Sequence, residues 1–213
     1  GRWAGRMRVT ETGGTWPAPA KINRFLHVTG RRPDGYHELQ TLFQILDWGD
    51  SVHISLRRDG QIRRRGADYC VPETDDLVIR AAELLRLEAG VLLGADIEVE
   101  KHIPLGSGLG GGSSDAATVL LVLNRLWHCG LSRDHLALLG RRLGADVPVF
   151  VIGRTALATG VGDRLDPFPL GRRHYVLVFP GIPVSTAGVF NDPALVRNSR
   201  AIGTDEILAG GGW

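Results

Sequence analysis

The residues best equipped for chemistry lie in three separated stretches of this 213-residue sequence. In "PLGSGLGGGSSDAA", residues 104–117, five glycines fall between Gly106 and Gly112, and an alanine-rich helical pattern follows at once. Glycines free successive backbone N–H groups and a helix start carries a partial positive charge, so this stretch suits an anion, above all a phosphate. Ser113 and Ser114 add hydroxyl donors, and Asp115 can cap the helix or help organise a metal at its first turn. The second stretch, "PAPAKINRFLHVTGRRPDGYHELQT", places Lys21, Asn23, Tyr36 and His37 near strand ends and a turn. The third, "LGADVPVF", sets Asp146 ahead of Val147 and Pro148, where proline restricts the local backbone. Taken singly, Lys21 reads as a solvated surface charge, the Tyr36–His37 pair as a half-buried core edge, and Asp146 as a turn or capping residue.

The glycine stretch has rivals to weigh. The P-loop pattern fails because no lysine follows its last glycine. Gly106, Gly108 and Gly111 satisfy G-x-G-x-x-G, but the strand before them alternates instead of running apolar, and no acidic residue ends a strand about twenty residues on. A flexible linker is disfavoured by the strong patterning of both flanks and by Pro104.

The elements that must position these residues follow from periodicity. Ala20 to Val28 reads as a strand, and "QTLFQILDWGDSVHISL" as two more, separated by Gly49 and Asp50. A helix is expected from Leu77 to Leu87, with Thr74 or Asp75 as cap and Gly90 as stop. "ADIEVEKHI" alternates, with Ile97, Val99 and Ile103 on one side, and delivers the chain into the glycine loop. An apolar helix from Ser114 to a stop at Gly130 follows, then another from Leu131 and Ser132 to about Leu143. Further strands are expected at Pro148 to Ile152, Thr155 to Ala158 and His174 to Phe179, which makes the chain α+β without internal repeats. Residues 1–16 read as an extension.

Composition narrows the classes. A hydrophobic content of 43% supports a globular core, and the net charge of +2, spread over short arginine runs such as Arg63 to Arg65, is no nucleic-acid footprint. No apolar run is long enough to span a membrane and no secretory pattern opens the chain, so a soluble cytoplasmic protein without a membrane partner is expected. Cys70 and Cys129 lack metal-ligand spacing and read as reduced thiols.

Together, "PAPAKIN", "DGYHELQTLFQ", "PLGSGLGGGSSDAA" and "GADVPVF" resemble the GHMP kinase superfamily over about residues 17–200, and within it the branch that phosphorylates a cytidine-diphosphate-linked methylerythritol. The resemblance implies an N-terminal ATP-binding domain over 17–171, of a ribosomal-protein-like α+β fold. Residues 172–213 would then be the opening of an incomplete ferredoxin-like α/β domain, with reduced stability and activity as the expected consequence. ATP and Mg²⁺ are the implied cofactors, and a monomer or homodimer without nucleic acid the implied state.

Carried onto this chain, the resemblance makes Asp146 the base for the substrate hydroxyl and Lys21 its charge partner. Pro104, Leu105, Gly106, Ser107, Gly108, Leu109, Gly110, Gly111, Gly112, Ser113 and Ser114 would wrap the triphosphate, with Lys101, Asp76 and Leu77 at the nucleoside end of ATP. Asn23 would orient the substrate, Tyr36 and Phe190 would stack the cytosine, and His37 would bond its polar edge. No metal ligand is assigned. Arg24 stands where the family more often has an aliphatic residue, on the side of the strand away from Asn23. Three alternatives stay open: a GHMP kinase for another alcohol, a nucleotide-binding unit without catalysis, and an RNA-binding module of similar topology.

Overall fold

The computed structural model describes residues 10–66, 72–171, 173–181 and 186–210. Two long strands, β1 (Gly13–Arg31) and β2 (His37–Arg57), form an antiparallel hairpin. Its turn is closed by Arg32 N donating to Tyr36 O at 2.7 Å and uses a left-handed Gly35. Strand β2 is the spine of a six-stranded sheet: β1 lies along one edge, while β4 (Gly94–Glu100) and β5 (Ala156–Thr159) share the other. Strand β3 (Ile62–Arg65) runs parallel to β4, and β6 (Arg164–Pro167) antiparallel to β5.

The expected break at Gly49 and Asp50 does not occur, and β2 continues through it. Gly49 instead faces Pro19 beside a bulge between Pro19 and Lys21, where an added Cβ would lie 2.1 Å from Ala18 O. The glycine marks a close backbone approach and not a turn. Gly13–Trp16, expected within an extension, pair with Val52–Ser55, and Trp16 is buried in the core.

Helix α1 (Leu77–Ala89) follows a 3₁₀ turn at Glu73–Asp75 and ends at a left-handed Gly90. Its cap is Asp76, which accepts from Val78 N at 3.0 Å, in place of the expected Thr74 or Asp75. Helix α2 (Gly111–Leu126) stops short of Gly130 because Asn124 bonds both N and O of Leu131 at 3.0 Å and closes the chain reversal early. Ser132 caps α3 (Arg133–Arg141) through His135 N.

Two expected strands are corrected. Pro148 to Ile152 lies in a helix, α4 (Val147–Ile152), because Pro148 suits a first helical turn and the run is buried all round, which leaves no strand alternation to read. His174 to Phe179 forms no strand: it is paired with no other strand among the described residues and leaves Val176 and Val178 largely exposed. Short helices α5 (Thr186–Asn191) and α6 (Thr204–Leu208) complete the described chain.

Leu42 and Phe43, adjacent on β2, point to opposite faces of the sheet and belong to two separate cores. Phe43 joins the main core with Val52, Ile97, Leu85, Leu120, Leu123 and Val147, contributed by the sheet and by α1, α2 and α4. Leu42 packs with Phe25, Phe168, Ile202 and Ile207, so residues past 200 return to cover the second face. Gln40 fastens that return by bonding both N and O of Ile202 at 2.7 and 3.0 Å. Among the described residues no helix is long and apolar enough to cross a membrane.

Candidate active site

The bulge in β1 falls just before Lys21, and bulges re-aim the side chains beside them. Lys21 is only 5% exposed. Its Nζ donates to Asn23 Oδ1 at 2.7 Å, lies 3.2 Å from Asp146 Oδ2, and stands 5.3 Å from the centre of the Phe43 ring. Asn23 Nδ2 donates to Thr41 Oγ1 at 2.7 Å, and the Thr41 hydroxyl donates to Phe25 O, so the amide of Asn23 has one orientation. Asp146 occupies the position before α4 yet makes no capping bond, and its side chain is one-third exposed. A buried ammonium thus holds a carboxylate that remains open to solvent.

The glycine loop is fastened to this pair. Lys21 N donates to Leu109 O at 2.9 Å, and a Cβ on Gly110 would lie 3.2 Å from Lys21 Cε and 2.8 Å from the Phe150 ring. Gly106, Gly108 and Gly110 have φ of +70°, +73° and +76°, which a side chain tolerates poorly. Helix α2 begins at Gly111 without a side-chain cap, so the amides of its first turn are available to an anion. Ser113 Oγ lies near Gly144, beside the turn that carries Asp146, and Leu77 lies against Gly112. Pro104 accepts from Ser107 N at 3.3 Å, and Leu105 projects outward.

Lys101, Asp115 and Asp76 each have partners within the protein. Lys101 Nζ donates to Asp50 Oδ2 at 2.5 Å and to Asp115 Oδ2 at 2.8 Å, beneath Gly111. Burial lowers the Lys101 pKa, but Asp115 and Asp50 outweigh it, so the net direction is upward. Burial pushes the Asp115 carboxyl up to about 7, which Lys101 only partly offsets because Asp50 shares it. Asp115 therefore neither caps α2 nor faces outward, and its Oδ1, like Ser114 Oγ, is buried without a partner among the described residues. Asp50 also accepts from the backbone N of His102 and Ile103 at 2.5 and 2.7 Å and so ties down the entrance to the loop. Asp76, besides capping α1, pairs with Arg64 at 2.9 Å.

A second group forms where the β1–β2 turn meets α5. The His37 and Phe190 rings lie 5.4 Å apart, tilted by 33°, while Tyr36 is 66% exposed on the turn. Arg197 joins them, donating from Nε to His37 Nε2 and from its terminal nitrogens to Phe190 O, Asp192 O and Leu195 O. Arg24 bonds Gln44 and the Tyr175 hydroxyl, away from Lys21. Asp50 and Arg197 were not foreseen: the first resembled a turn residue, and the second carries no signal without its distant partners. Cys129 is a free thiol whose pKa burial raises; Cys70 lies outside the described residues.

Comparisons with known proteins match this chain over most of its length. The family description "GHMP kinases N terminal domain" matches residues 76–154. The 4-diphosphocytidyl-2-C-methyl-D-erythritol kinase of Xylella fastidiosa is 58% identical over 196 residues, 92% of this chain and 66% of its own length. The corresponding protein of Alkalilimnicola ehrlichii is 58% identical over 195 residues, 92% of this chain and 67% of its own. A crystal structure of 4-(cytidine 5'-diphospho)-2C-methyl-D-erythritol kinase superposes with a TM-score of 0.65 at 44% identity, covering 74% of this chain and 56% of that one. The chain thus spans about two thirds of the length of the curated relatives it matches. With identity at this level across nearly all of its residues, the chain belongs to the 4-diphosphocytidyl-2-C-methyl-D-erythritol kinase family of GHMP kinases.

Proposed function

We propose that this chain transfers the γ-phosphoryl group of ATP to the 2-hydroxyl of 4-diphosphocytidyl-2-C-methyl-D-erythritol, a step of the non-mevalonate route to isoprenoids. The observation that carries this reading is the Lys21–Asp146 pair at 3.2 Å, set against the glycine loop by the Lys21 N to Leu109 O bond. Asp146 takes the proton as the substrate oxygen attacks the γ-phosphorus, a new P–O bond forms, and the bond to ADP breaks. Lys21 offers its charge to the oxygens of the transferring group, and Asn23 fixes the direction in which that ammonium points. The amides of Gly106–Gly112 and the open start of α2 hold the phosphates.

Magnesium would neutralise charge on those phosphates. Magnesium in such a site would be held largely by phosphate and water oxygens. Ser113, beside the Asp146 turn, is the hydroxyl placed to reach it. Tyr36, His37 and Phe190 supply the cytidine end, where aromatic faces offer contact area at small entropic cost.

The test is incubation of the chain with Mg²⁺-ATP and 4-diphosphocytidyl-2-C-methylerythritol, with product followed by mass spectrometry. Phosphorylated product is expected, and Asp146→Asn should reduce its rate at least about 100-fold while ATP binding stays within about threefold. ATP binding without any product would favour the non-catalytic nucleotide-binding reading.

A further inference from the structure

Arg197 makes four hydrogen bonds that reach both sides of the cytidine end of the site. Its terminal nitrogens donate to the carbonyls of Phe190 and Asp192 at 2.8 Å and of Leu195 at 2.9 Å. Its Nε donates to His37 Nε2 at 3.3 Å. A guanidinium has donors only, so the imidazole nitrogen facing it must present a lone pair. The single ring hydrogen of neutral His37 is then on Nδ1, which bonds to no protein group among the described residues. A pyrimidine docked beside Phe190 with its N3 toward His37 Nδ1 would then meet a fixed donor. Cytosine offers an acceptor at its N3, whereas uracil carries hydrogen there, so two donors would oppose each other. A site built to satisfy one hydrogen-bonding edge disfavours the analogue whose edge opposes its donor.

We propose that Arg197 is a positioning and specificity-determining residue: by holding Phe190 and fixing the His37 tautomer, it makes the site prefer cytosine over uracil. The inference rests on the cytidine-binding reading of Tyr36, His37 and Phe190. It also explains why a residue far along the chain places its guanidinium at the β1–β2 turn, where it bonds an imidazole and three carbonyls and pairs with no carboxylate among the described residues.

The experiment titrates the full chain with CMP and with UMP, and records ¹⁵N correlations of the His37 ring, for the unsubstituted protein, Arg197→Met and Arg197→Lys. The unsubstituted chain should bind CMP more tightly than UMP and show His37 with hydrogen on Nδ1. Arg197→Met should cut the CMP-to-UMP preference by about 10-fold and release the tautomer. Arg197→Lys, which keeps a donor, should hold the tautomer and part of the preference. A Met variant that weakens CMP and UMP equally with the tautomer unchanged would mean Arg197 is only structural and would overturn the proposal. Failure of the unsubstituted chain to bind CMP would overturn the cytidine reading and this inference with it, whereas CMP binding with an Nε2–H tautomer would sink the inference alone.

Discussion

Lys101 serves two carboxylates at once, and the consequence is a pH dependence that belongs to a single residue. Asp115 titrates at about 7 in the folded chain against an ordinary 3.8, because burial disfavours its charge and Lys101 is shared with Asp50. Between those two values the folded chain binds more protons than the unfolded one. The contribution of Asp115 is therefore fully present below about pH 4 and is lost as pH rises through about 7. Asp115→Asn removes that slope. The melting temperature of the variant minus that of the unsubstituted chain should rise between pH 5 and pH 8 by about 3 °C or more. A difference that stays flat across that range would show the carboxyl to be ordinary.

At the scale of elements, the glycine loop works through two separable demands, left-handed backbone and close approach. Gly108 has only the first: φ is +73° and nothing lies within 4 Å of where its Cβ would be. Gly110 has both, with the Phe150 ring at 2.8 Å and Lys21 Cε at 3.2 Å. Gly108→Ala should cost about 1 kcal/mol in urea unfolding, from backbone strain alone. Gly110→Ala should cost about 1–3 kcal/mol more and weaken ATP binding, since it displaces Lys21 as well. Equal costs for the two would argue that the loop does not press on Lys21. Loop, strand and helix are thus coupled: the bulge aims Lys21, Lys21 N anchors Leu109, and Asp50 fixes the backbone at His102 and Ile103.

For the molecule as a whole, the sheet is covered on both faces, and the second cover comes from the far end of the described chain. Ile207 is 2% exposed and packs with Phe25, Leu42, Phe168 and Ile202. Phe25 lies on β1 four residues past Lys21, so the return of residues 199–208 supports the strand that carries the site. Ile207→Ala should cost about 2–4 kcal/mol, seen as a lower urea midpoint at an unchanged slope. A cost below about 1 kcal/mol would mean that this segment rests on the sheet without stabilising it. The run His174–Phe179 contrasts with it: its apolar side chains are exposed, and among the described residues Tyr175 ties it to the sheet through Arg24 and Gln44.

What the sequence determined by itself was local. The helix over Leu77 and beyond, the amphipathic β4, the glycine loop opening α2 and the Ser132 cap all follow from periodicity and turn chemistry, which depend on neighbours a few residues away. The motif set around Lys21 and Asp146 was also legible, as a resemblance. Tertiary structure alone decided the rest. Gly49 looked like a turn because a lone glycine does not say whether it bends the chain or admits another strand. Pro148–Ile152 became helix because burial on every side erases the alternation that distinguishes a strand. The contact of Lys21 with Asp146, the Lys101 triad, and the hold of Arg197 on His37 each join residues far apart in the chain. Charge and hydrogen-bond complementarity has no local period, so only the folded sheet, with its bulge and its returning C-terminal segment, brings those groups within reach.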